Sequence, residues 1–308
     1  MDTNLSILQK VRYSPLNSEP FSFWMKRDDL IDPVVSGNKW RKLKFNIQKA
    51  NLQKSVGILT FGGAFSNHLI ATAKACKLNG LKSVGVVRGE ELNCNSNDTL
   101  IHCTKYGMEL HFVSRSEYKT KSDELYLNEL KSQYPHFYIV PEGGANYYGV
   151  IGCQEILQET ANDFDAIYLA GGTGTTATGI LSSAPSRSKI HLVSTLKGDF
   201  LKHEVAKALT GITYDKEVTE NIIQQLKLNT DSHFGGYGKV NKSLLDFMND
   251  FYRQTNIPLD PIYTGKAMYA MVQDFKKGVI TDDNVLFLHT GGLQGAKKWH
   301  KELLYLSN

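Results

Sequence analysis

Short apolar runs alternate with longer amphipathic stretches along most of this chain. The short runs predict buried strands, and the stretches with apolar residues at helical spacing predict helices. In the first half of the chain the predicted strands cover residues 56–61, 83–89, 109–113 and 137–144. The predicted helices there cover residues 67–77, 100–107 and 116–130, and another begins near residue 38. This order is typical of a parallel sheet covered by helices.

The same alternation continues in the second half of the chain. The predicted helices there cover residues 150–160, 175–181, 200–209, 243–252 and 267–276. The predicted strands cover residues 165–172, 189–195 and 285–292, whereas the polar stretch 210–240 is predicted to be irregular. Because parallel strands end at a common carboxyl edge, we expect the ligand-binding loops at that edge.

The composition narrows the class of protein. The chain has 308 residues, of which 41% are hydrophobic and 21% charged, as expected for a folded protein with one large or two medium domains. Its 35 basic and 31 acidic residues are scattered, so no surface for nucleic acid is expected. Neither a membrane-spanning run nor a signal peptide is visible, and the expectation is a cytoplasmic protein. Four cysteines without a Cys-x-x-Cys pair predict neither a metal site nor a disulfide framework.

The segment AGGTGTTATG, residues 170–179, connects a predicted strand to a predicted helix. Its backbone amides, threonine hydroxyls and helix N-terminus favour a bound phosphate. Gly172, Gly174 and Ala177 also fit the dinucleotide pattern G-x-G-x-x-A, but the nearest acidic residue, Asp199, lies 27 positions after Gly172. Because a ribose-binding acid is expected about 20 positions on, a lone phosphate is favoured and a nicotinamide-dependent oxidoreductase is an alternative.

Two other segments carry reactive side chains. The segment SGNKWRKLKF, residues 36–45, places Lys39 and Lys42 on one face of a helix. One such lysine can form a Schiff base, and the second can neutralise a phosphate. The segment TFGGAFSNH, residues 60–68, places Ser66 at a strand-to-helix turn. The Gly-x-Ser-x-Gly motif of a nucleophilic serine is absent. The role of helix N-cap is therefore at least as well supported for Ser66 as the role of nucleophile.

Six segments together resemble the family of pyridoxal-phosphate enzymes that contains 1-aminocyclopropane-1-carboxylate (ACC) deaminase and D-cysteine desulfhydrase. They occur in the family's order along nearly the whole chain. They are KRDDL (26–30), SGNKWRKL (36–43), GGAFSNH (62–68), GGTGTTATG (171–179), DPIYTGKAM (260–268) and HTGG (289–292).

The resemblance implies a fold, a cofactor and a partner. The fold is α/β of the tryptophan synthase β-like type (fold type II), with two doubly wound parallel-sheet domains and pyridoxal 5'-phosphate in the cleft between them. Residues 1–48 and 147–308 would form the large cofactor-binding domain, and residues 49–146 the small α/β domain. The implied assembly is a homodimer, and the ligand is a small amino acid.

The resemblance also implies the site residues. Lys39 would form the Schiff base and later move protons, while Lys42 would help to hold the phosphate. The implied cofactor-binding residues are Lys39, Lys42, Asn67, Gly172, Thr173, Gly174, Thr175, Thr176 and Thr264. The implied catalytic residues are Lys39, Ser66, Tyr237 and Tyr263. The implied substrate-binding residues are Ser66, Asn67, His68 and Thr290.

Two of these positions distinguish the activities within the family. At these positions the deaminases have sequences similar to YEG and HLGG, with the glutamate beside the pyridine nitrogen. This chain has YTG and HTGG instead, with Thr264 and Thr290, and is similar to the desulfhydrases there. A carboxylate would keep the ring protonated, and threonine can only hydrogen-bond. We therefore expect a D-cysteine desulfhydrase-like lyase that forms pyruvate, ammonia and sulfide. The alternatives are an ACC deaminase that forms 2-oxobutyrate and ammonia, and a binding module without catalysis.

Overall fold

The computed structural model describes residues 1–17, 21–281 and 283–306. The chain divides into two compact units. The small unit is Lys39–Gly152, and the large unit combines Met1–Asn38 with Cys153–Asn308. The sequence predicts a small domain of residues 49–146. This division into compact units does not test whether those residues form the functional domain, so the predicted bounds stay a prediction.

The described residues contain strands and helices with the following bounds. The strands are β1 (Leu8–Lys10), β2 (Ser22–Lys26), β3 (Gly57–Gly63), β4 (Lys82–Arg88), β5 (Met108–Val113), β6 (Phe137–Val140), β7 (Ala166–Gly171), β8 (Lys189–Ser194), β9 (Leu226–Asn229) and β10 (Asn284–Leu288). The α-helices are α1 (Asn38–Leu52), α2 (Asn67–Leu78), α3 (Asp98–Lys105), α4 (Arg115–Lys119), α5 (Glu124–Gln133), α6 (Tyr147–Gln158), α7 (Thr175–Leu181), α8 (Phe200–Thr213), α9 (Lys216–Ile223), α10 (Lys242–Thr255) and α11 (Thr264–Lys276).

The small unit is built on a parallel sheet in the order β5-β4-β3-β6. On one face of this sheet, side chains of β3 and β4 form a core with residues of α4 and α5. On the other face, α2 packs closely, because Leu69 lies over Gly62 and Gly85, where a side chain would collide with it. The alternation of large residues and glycine along the strands thus sets how near the helix comes.

The large unit contains a six-stranded sheet in the order β1-β2-β10-β7-β8-β9. Alternate residues of β7 belong to two separate cores, Tyr168 with residues of α10 and α11, and Leu169 with residues of α6, α7 and α8. Helices therefore cover both faces, which explains why β7 is buried along its whole length. The expected α/β class with two doubly wound parallel-sheet domains is confirmed.

Three predictions of local structure are corrected. Strand β1 pairs antiparallel with β2, so the large sheet is mixed, and neither of these short strands was expected. The single helix expected over residues 116–130 is two helices, α4 and α5, because the polar residues 119–123 carry no apolar side chain that would continue the buried face. Residues 210–240 are not wholly irregular, since they contain α9, capped by the Asp215 side chain, and β9 at the edge of the sheet.

Candidate active site

The glycine-rich loop after β7 has the form expected of a phosphate site. Gly174 begins α7 with a φ of 78°, a left-handed conformation that favours glycine, and no side chain caps the helix there. The hydroxyl oxygens of Thr173 and Thr175 lie 3.0 Å apart. A Cβ at Gly172 would lie 3.3 Å from the Tyr263 ring, so the backbone of the loop passes close to that ring. Small residues, hydroxyls and a helix N-terminus therefore meet at one end of β7.

The turn before α1 joins this loop and the HTGG segment. The Asn38 side-chain amide donates to the Thr176 hydroxyl, with 3.0 Å between Nδ2 and Oγ1, and the Asn38 backbone N–H donates to the Thr290 carbonyl at 3.3 Å. Gly37 has a φ of 61°, and a Cβ there would overlap the Thr290 carbonyl oxygen. Thr176 and Thr290, both expected at the site, are thus held beside the residue that precedes Lys39.

The KRDDL motif, residues 26–30, is hydrogen-bonded to the HTGG segment, residues 289–292. Arg27 donates two hydrogen bonds to the Asp29 carboxylate, at 2.8 and 2.7 Å, and the pair is buried. The Asp29 N–H donates to the His289 carbonyl, and His289 Nε2 donates to the Pro258 carbonyl at 2.6 Å. The motif therefore has a structural role: it fixes the residue before Thr290.

Asp260 organises the DPIYTG turn. Its carboxylate accepts hydrogen bonds from the backbone N–H groups of Tyr263 and Thr264, at 2.6 and 3.1 Å, and its own N–H donates to the Thr264 hydroxyl oxygen at 2.8 Å. Because the oxygen of this fully buried hydroxyl accepts from the backbone, its hydrogen can be donated to a ligand. The rings of Tyr237 and Tyr263 lie edge to face, with centroids 6.2 Å apart.

In the small unit, positive charge surrounds a neutral histidine. Lys42 and His68 are buried, and a Cβ at Gly144 would lie 3.0 Å from the Lys42 Cβ and 3.5 Å from the His68 Cε1. Burial, together with the positive charges of Lys39 and Lys42, lowers the pKa of His68 to about 3. The imidazole is therefore neutral at pH 7, and the net charge around it favours an anion.

The hydrogen bonds of His68 define its tautomer. The Thr60 hydroxyl donates to the Val140 carbonyl at 2.7 Å, so it accepts from His68 Nε2, which lies 2.9 Å away. His68 Nδ1 then carries a lone pair, and this buried atom has no hydrogen-bond partner in the described structure. The sequence predicts that His68 contacts the substrate. In its neutral form, Nδ1 can accept a hydrogen bond from a ligand, but the ring carries no positive charge.

Ser66 is the N-cap of α2. Its hydroxyl oxygen accepts hydrogen bonds from the backbone N–H groups of His68 and Leu69, at 3.2 and 3.3 Å. A Cβ at Gly62 would lie 2.7 Å from Ser66 Oγ, so that glycine makes room for the hydroxyl. The N-cap expected for Ser66 is confirmed, and its hydroxyl hydrogen can still be donated to a ligand. Asn67 is the first residue of α2.

Each unit thus brings together part of the expected site. The large unit holds the loop 172–176, Tyr237, Tyr263, Thr264 and Thr290, and the small unit holds Lys39, Lys42, Ser66, Asn67 and His68. The glycine-rich loop suits the phosphate of pyridoxal phosphate, the two lysines suit its charge, and Thr264 suits its ring nitrogen. Sequence reasoning missed Asn38 and Asp260, although the Asp-Pro pair that opens a turn was a usable signal.

Comparisons with known proteins decide the family. The model of the pyridoxal-phosphate dependent enzymes matches residues 7–291. The chain belongs to this family. The putative ACC deaminase of Thermotoga maritima is 33% identical over 293 residues, which cover 89% of this chain and 90% of that protein.

Two further relatives are similar over most of their length. The mitochondrial bifunctional D-cysteine desulfhydrase/ACC deaminase of Arabidopsis thaliana is 29% identical over 295 residues, 88% of this chain and 72% of that protein. The crystal structure of an ACC deaminase homologue has a TM-score of 0.79 and 27% identity, over 98% of this chain and 93% of that one.

These findings confirm the resemblance recognised in the sequence. The protein is a pyridoxal-phosphate dependent enzyme of fold type II, and its cofactor is pyridoxal 5'-phosphate rather than a dinucleotide. Among the described helices, none is both long and apolar enough to span a bilayer. The roles expected for the individual site residues stay predictions.

Proposed function

We propose that this enzyme eliminates the β-substituent of a small amino acid, as a D-cysteine desulfhydrase does. The observation that carries the proposal is Thr264, a buried neutral hydroxyl at the position where the deaminases have a carboxylate. Because the Thr264 oxygen accepts from the Asp260 N–H, its hydroxyl hydrogen would be available to an unprotonated ring nitrogen of the bound cofactor. That arrangement makes a weaker electron sink than a protonated ring. The ring must withdraw electrons less strongly for a thiolate to be expelled than for a cyclopropane to be opened.

Different residues bind different parts of the cofactor. The loop 172–176 and Lys42 bind the phosphate, Asn67 contacts the ring, and Lys39 binds covalently through its Nζ. When bound, the cofactor delocalises the electron pair that is left at the substrate Cα. Asn38 keeps the start of α1 on the phosphate loop through its bond to Thr176.

Lys39 is the base that takes the proton from the substrate Cα. The Ser66 hydroxyl donates to the substrate carboxylate, assisted by the positive end of α2. His68 Nδ1 accepts a hydrogen bond, since its proton is held on Nε2.

Tyr237, Tyr263 and Thr290 contact the substrate. The two rings, which meet edge to face, cover it and limit the access of water. The C–S bond of D-cysteine breaks with its electron pair on sulfur, which leaves as sulfide after protonation. The remaining three-carbon enamine takes up water and yields pyruvate and ammonia.

A product assay tests the proposal. The holoenzyme is incubated with D-cysteine, L-cysteine, D-serine or aminocyclopropane carboxylate, and sulfide, pyruvate and 2-oxobutyrate are measured. The expected result is sulfide and pyruvate in equal amounts from D-cysteine, retained in Thr264→Ser. Exclusive formation of 2-oxobutyrate from aminocyclopropane carboxylate would contradict the proposal.

ACC deaminase is the second candidate function, because the Thermotoga maritima relative carries that name. The double variant Thr264→Glu/Thr290→Leu is expected to shift activity toward 2-oxobutyrate, and an unchanged product ratio would show that these positions do not set selectivity. A homodimer and a cytoplasmic location, both expected from the sequence, also stay predictions; sedimentation of the holoenzyme tests the first.

A further inference from the structure

The loop that carries Tyr237 contains a run of residues with left-handed backbone angles. Phe234, Gly235, Gly236 and Gly238 have φ angles of 54°, 96°, 111° and 66°. Glycine reaches such angles without strain but loses the most conformational freedom on ordering, whereas a left-handed Phe234 is strained. Tyr237, in the middle of this run, is 49% exposed. The turn is closed from within by bonds from the Gly236 N–H to the His233 carbonyl, at 3.1 Å, and from the Gly235 N–H to His233 Nδ1, at 2.9 Å. Contacts from outside the loop are needed to fix this turn on the rest of the unit.

Lys266 supplies two contacts from α11. Its side chain is fully buried, and its Nζ donates hydrogen bonds to the carbonyls of His233 and Gly236, at 2.8 and 2.9 Å. These carbonyls lie on either side of the left-handed residues 234 and 235. One ammonium group thus holds both ends of the turn that leads into Tyr237.

A second contact joins the loop to the same helix. The Phe234 ring lies edge to face on Tyr269 of α11, with centroids 5.0 Å apart. Tyr263 precedes the first residue of α11 and is held by Asp260. Both tyrosines expected over the substrate are therefore positioned from the N-terminal half of one helix.

A buried ammonium group is costly unless its hydrogens are bonded. Burial lowers the pKa of Lys266 to about 8, and the nearby Asp260 acts in the opposite direction. An apolar side chain of similar length would fill the same space without that cost. The hydrogen bonds that compensate this cost go to the two loop carbonyls, and the Asp260 carboxylate adds a favourable charge.

We propose that Lys266 is a positioning residue that fixes residues 233–238 on α11 and so places Tyr237 beside Tyr263 over the substrate. This inference rests on the proposed function for the role of Tyr237. The fixing of the loop does not depend on which amino acid is the substrate.

Hydrogen exchange in the holoenzyme tests the fixing of the loop. Lys266→Met should speed amide exchange in residues 233–239 by at least about tenfold, because those groups are then released from α11. Lys276→Met, an exposed position on the last turn of the same helix, is the matched control and should leave that exchange unchanged. Lys266→Arg keeps the donors and should restore slow exchange. Unchanged exchange in folded Lys266→Met would overturn the proposal.

A double-mutant cycle tests the role in catalysis. In the wild-type background Lys266→Met should lower kcat/KM by about tenfold or more, while cofactor absorbance and affinity are unchanged. In the Tyr237→Phe background the same change should cost less than about twofold, because the residue it positions has already lost its hydroxyl. Equal losses in both backgrounds would show general damage and contradict positioning of Tyr237.

The two experiments separate two kinds of failure. A wild-type holoenzyme that forms no product from any of the four tested amino acids refutes the proposed function, and the exchange experiment still decides whether Lys266 fixes the loop. An active enzyme whose loop is loosened by Lys266→Met without loss of kcat/KM refutes the positioning role while the proposed function stands.

Discussion

The Asn38 side-chain amide donates a hydrogen bond to the hydroxyl of Thr176, 3.0 Å away. Thr176 lies in the first turn of α7, directly after the glycine-rich loop, and Asn38 immediately precedes Lys39. This contact therefore joins the expected phosphate loop to the start of the helix that carries the lysine predicted to bind the cofactor.

Replacing Asn38 with alanine should weaken cofactor binding without removing it. Loss of one side-chain hydrogen bond corresponds to about 1 kcal/mol, or about fivefold in the dissociation constant of pyridoxal phosphate. Titration of the apoenzyme with the cofactor, followed by absorbance, measures the change. Asn51→Ala, an exposed position on the same helix, is the control. Equal affinities of Asn38→Ala and Asn51→Ala would show that the contact does not support the phosphate loop.

Gly37→Ala should be far more damaging than alanine at another left-handed glycine. Gly278 has a φ of 69° with no atom within 4 Å of a Cβ built there, whereas the Cβ at Gly37 would overlap the Thr290 carbonyl. Gly278→Ala should cost about 1 kcal/mol of unfolding free energy from backbone strain alone. Gly37→Ala should cost about 2 kcal/mol more and also weaken cofactor binding. Urea unfolding of the two variants measures the difference, and equal losses would contradict this explanation.

Much of this arrangement could be predicted from the sequence, because buried parallel strands and glycine-rich turns leave strong local patterns. The bounds of α7, for example, agree with the helix predicted from residue 175 to 181. The contacts of Asn38 with Thr176 and of Lys266 with His233 join residues far apart in the chain, and no local pattern indicates them. Helix α9 was missed because its eight residues are mostly polar and its stability depends on a cap and on packing.

Ser66→Ala should separate a stability effect from a catalytic one. Loss of the N-cap should lower the unfolding free energy by about 1 kcal/mol. Asn97 caps α3 in the same unit through its bond from the Leu100 N–H, so Asn97→Ala should cost a similar amount. Only Ser66→Ala should lower turnover of D-cysteine, by more than about tenfold, because the proposed function has Ser66, and not Asn97, donate to the substrate. A similar loss of turnover in both variants would assign Ser66 a purely structural role.

His68 should make the stability of the protein depend on pH in acid. Its folded pKa of about 3 lies below the unfolded value of 6.5, so between these values the unfolded chain takes up a proton that the folded protein does not. The unfolding free energy therefore falls as the pH is lowered through this window, by about 2 kcal/mol between pH 7 and pH 5. His68→Gln should lose this contribution, as measured by urea unfolding at the two pH values.

The matched control for His68 is His102→Gln, at a partly exposed position on α3 of the same unit. This variant should keep the pH dependence of the wild type. If His68→Gln retains the full difference between pH 7 and pH 5, the neutral buried imidazole is not its source.

Covalent attachment of the cofactor to Lys39 is the central claim, and borohydride reduction tests it most directly. The holoenzyme is reduced, digested and examined by mass spectrometry for a pyridoxyl group. The expected result is a single modified peptide that contains Lys39, with loss of the modification and of the visible absorbance of the bound cofactor in Lys39→Ala. A pyridoxyl group on another lysine, or an unchanged spectrum and turnover in Lys39→Ala, would contradict the account.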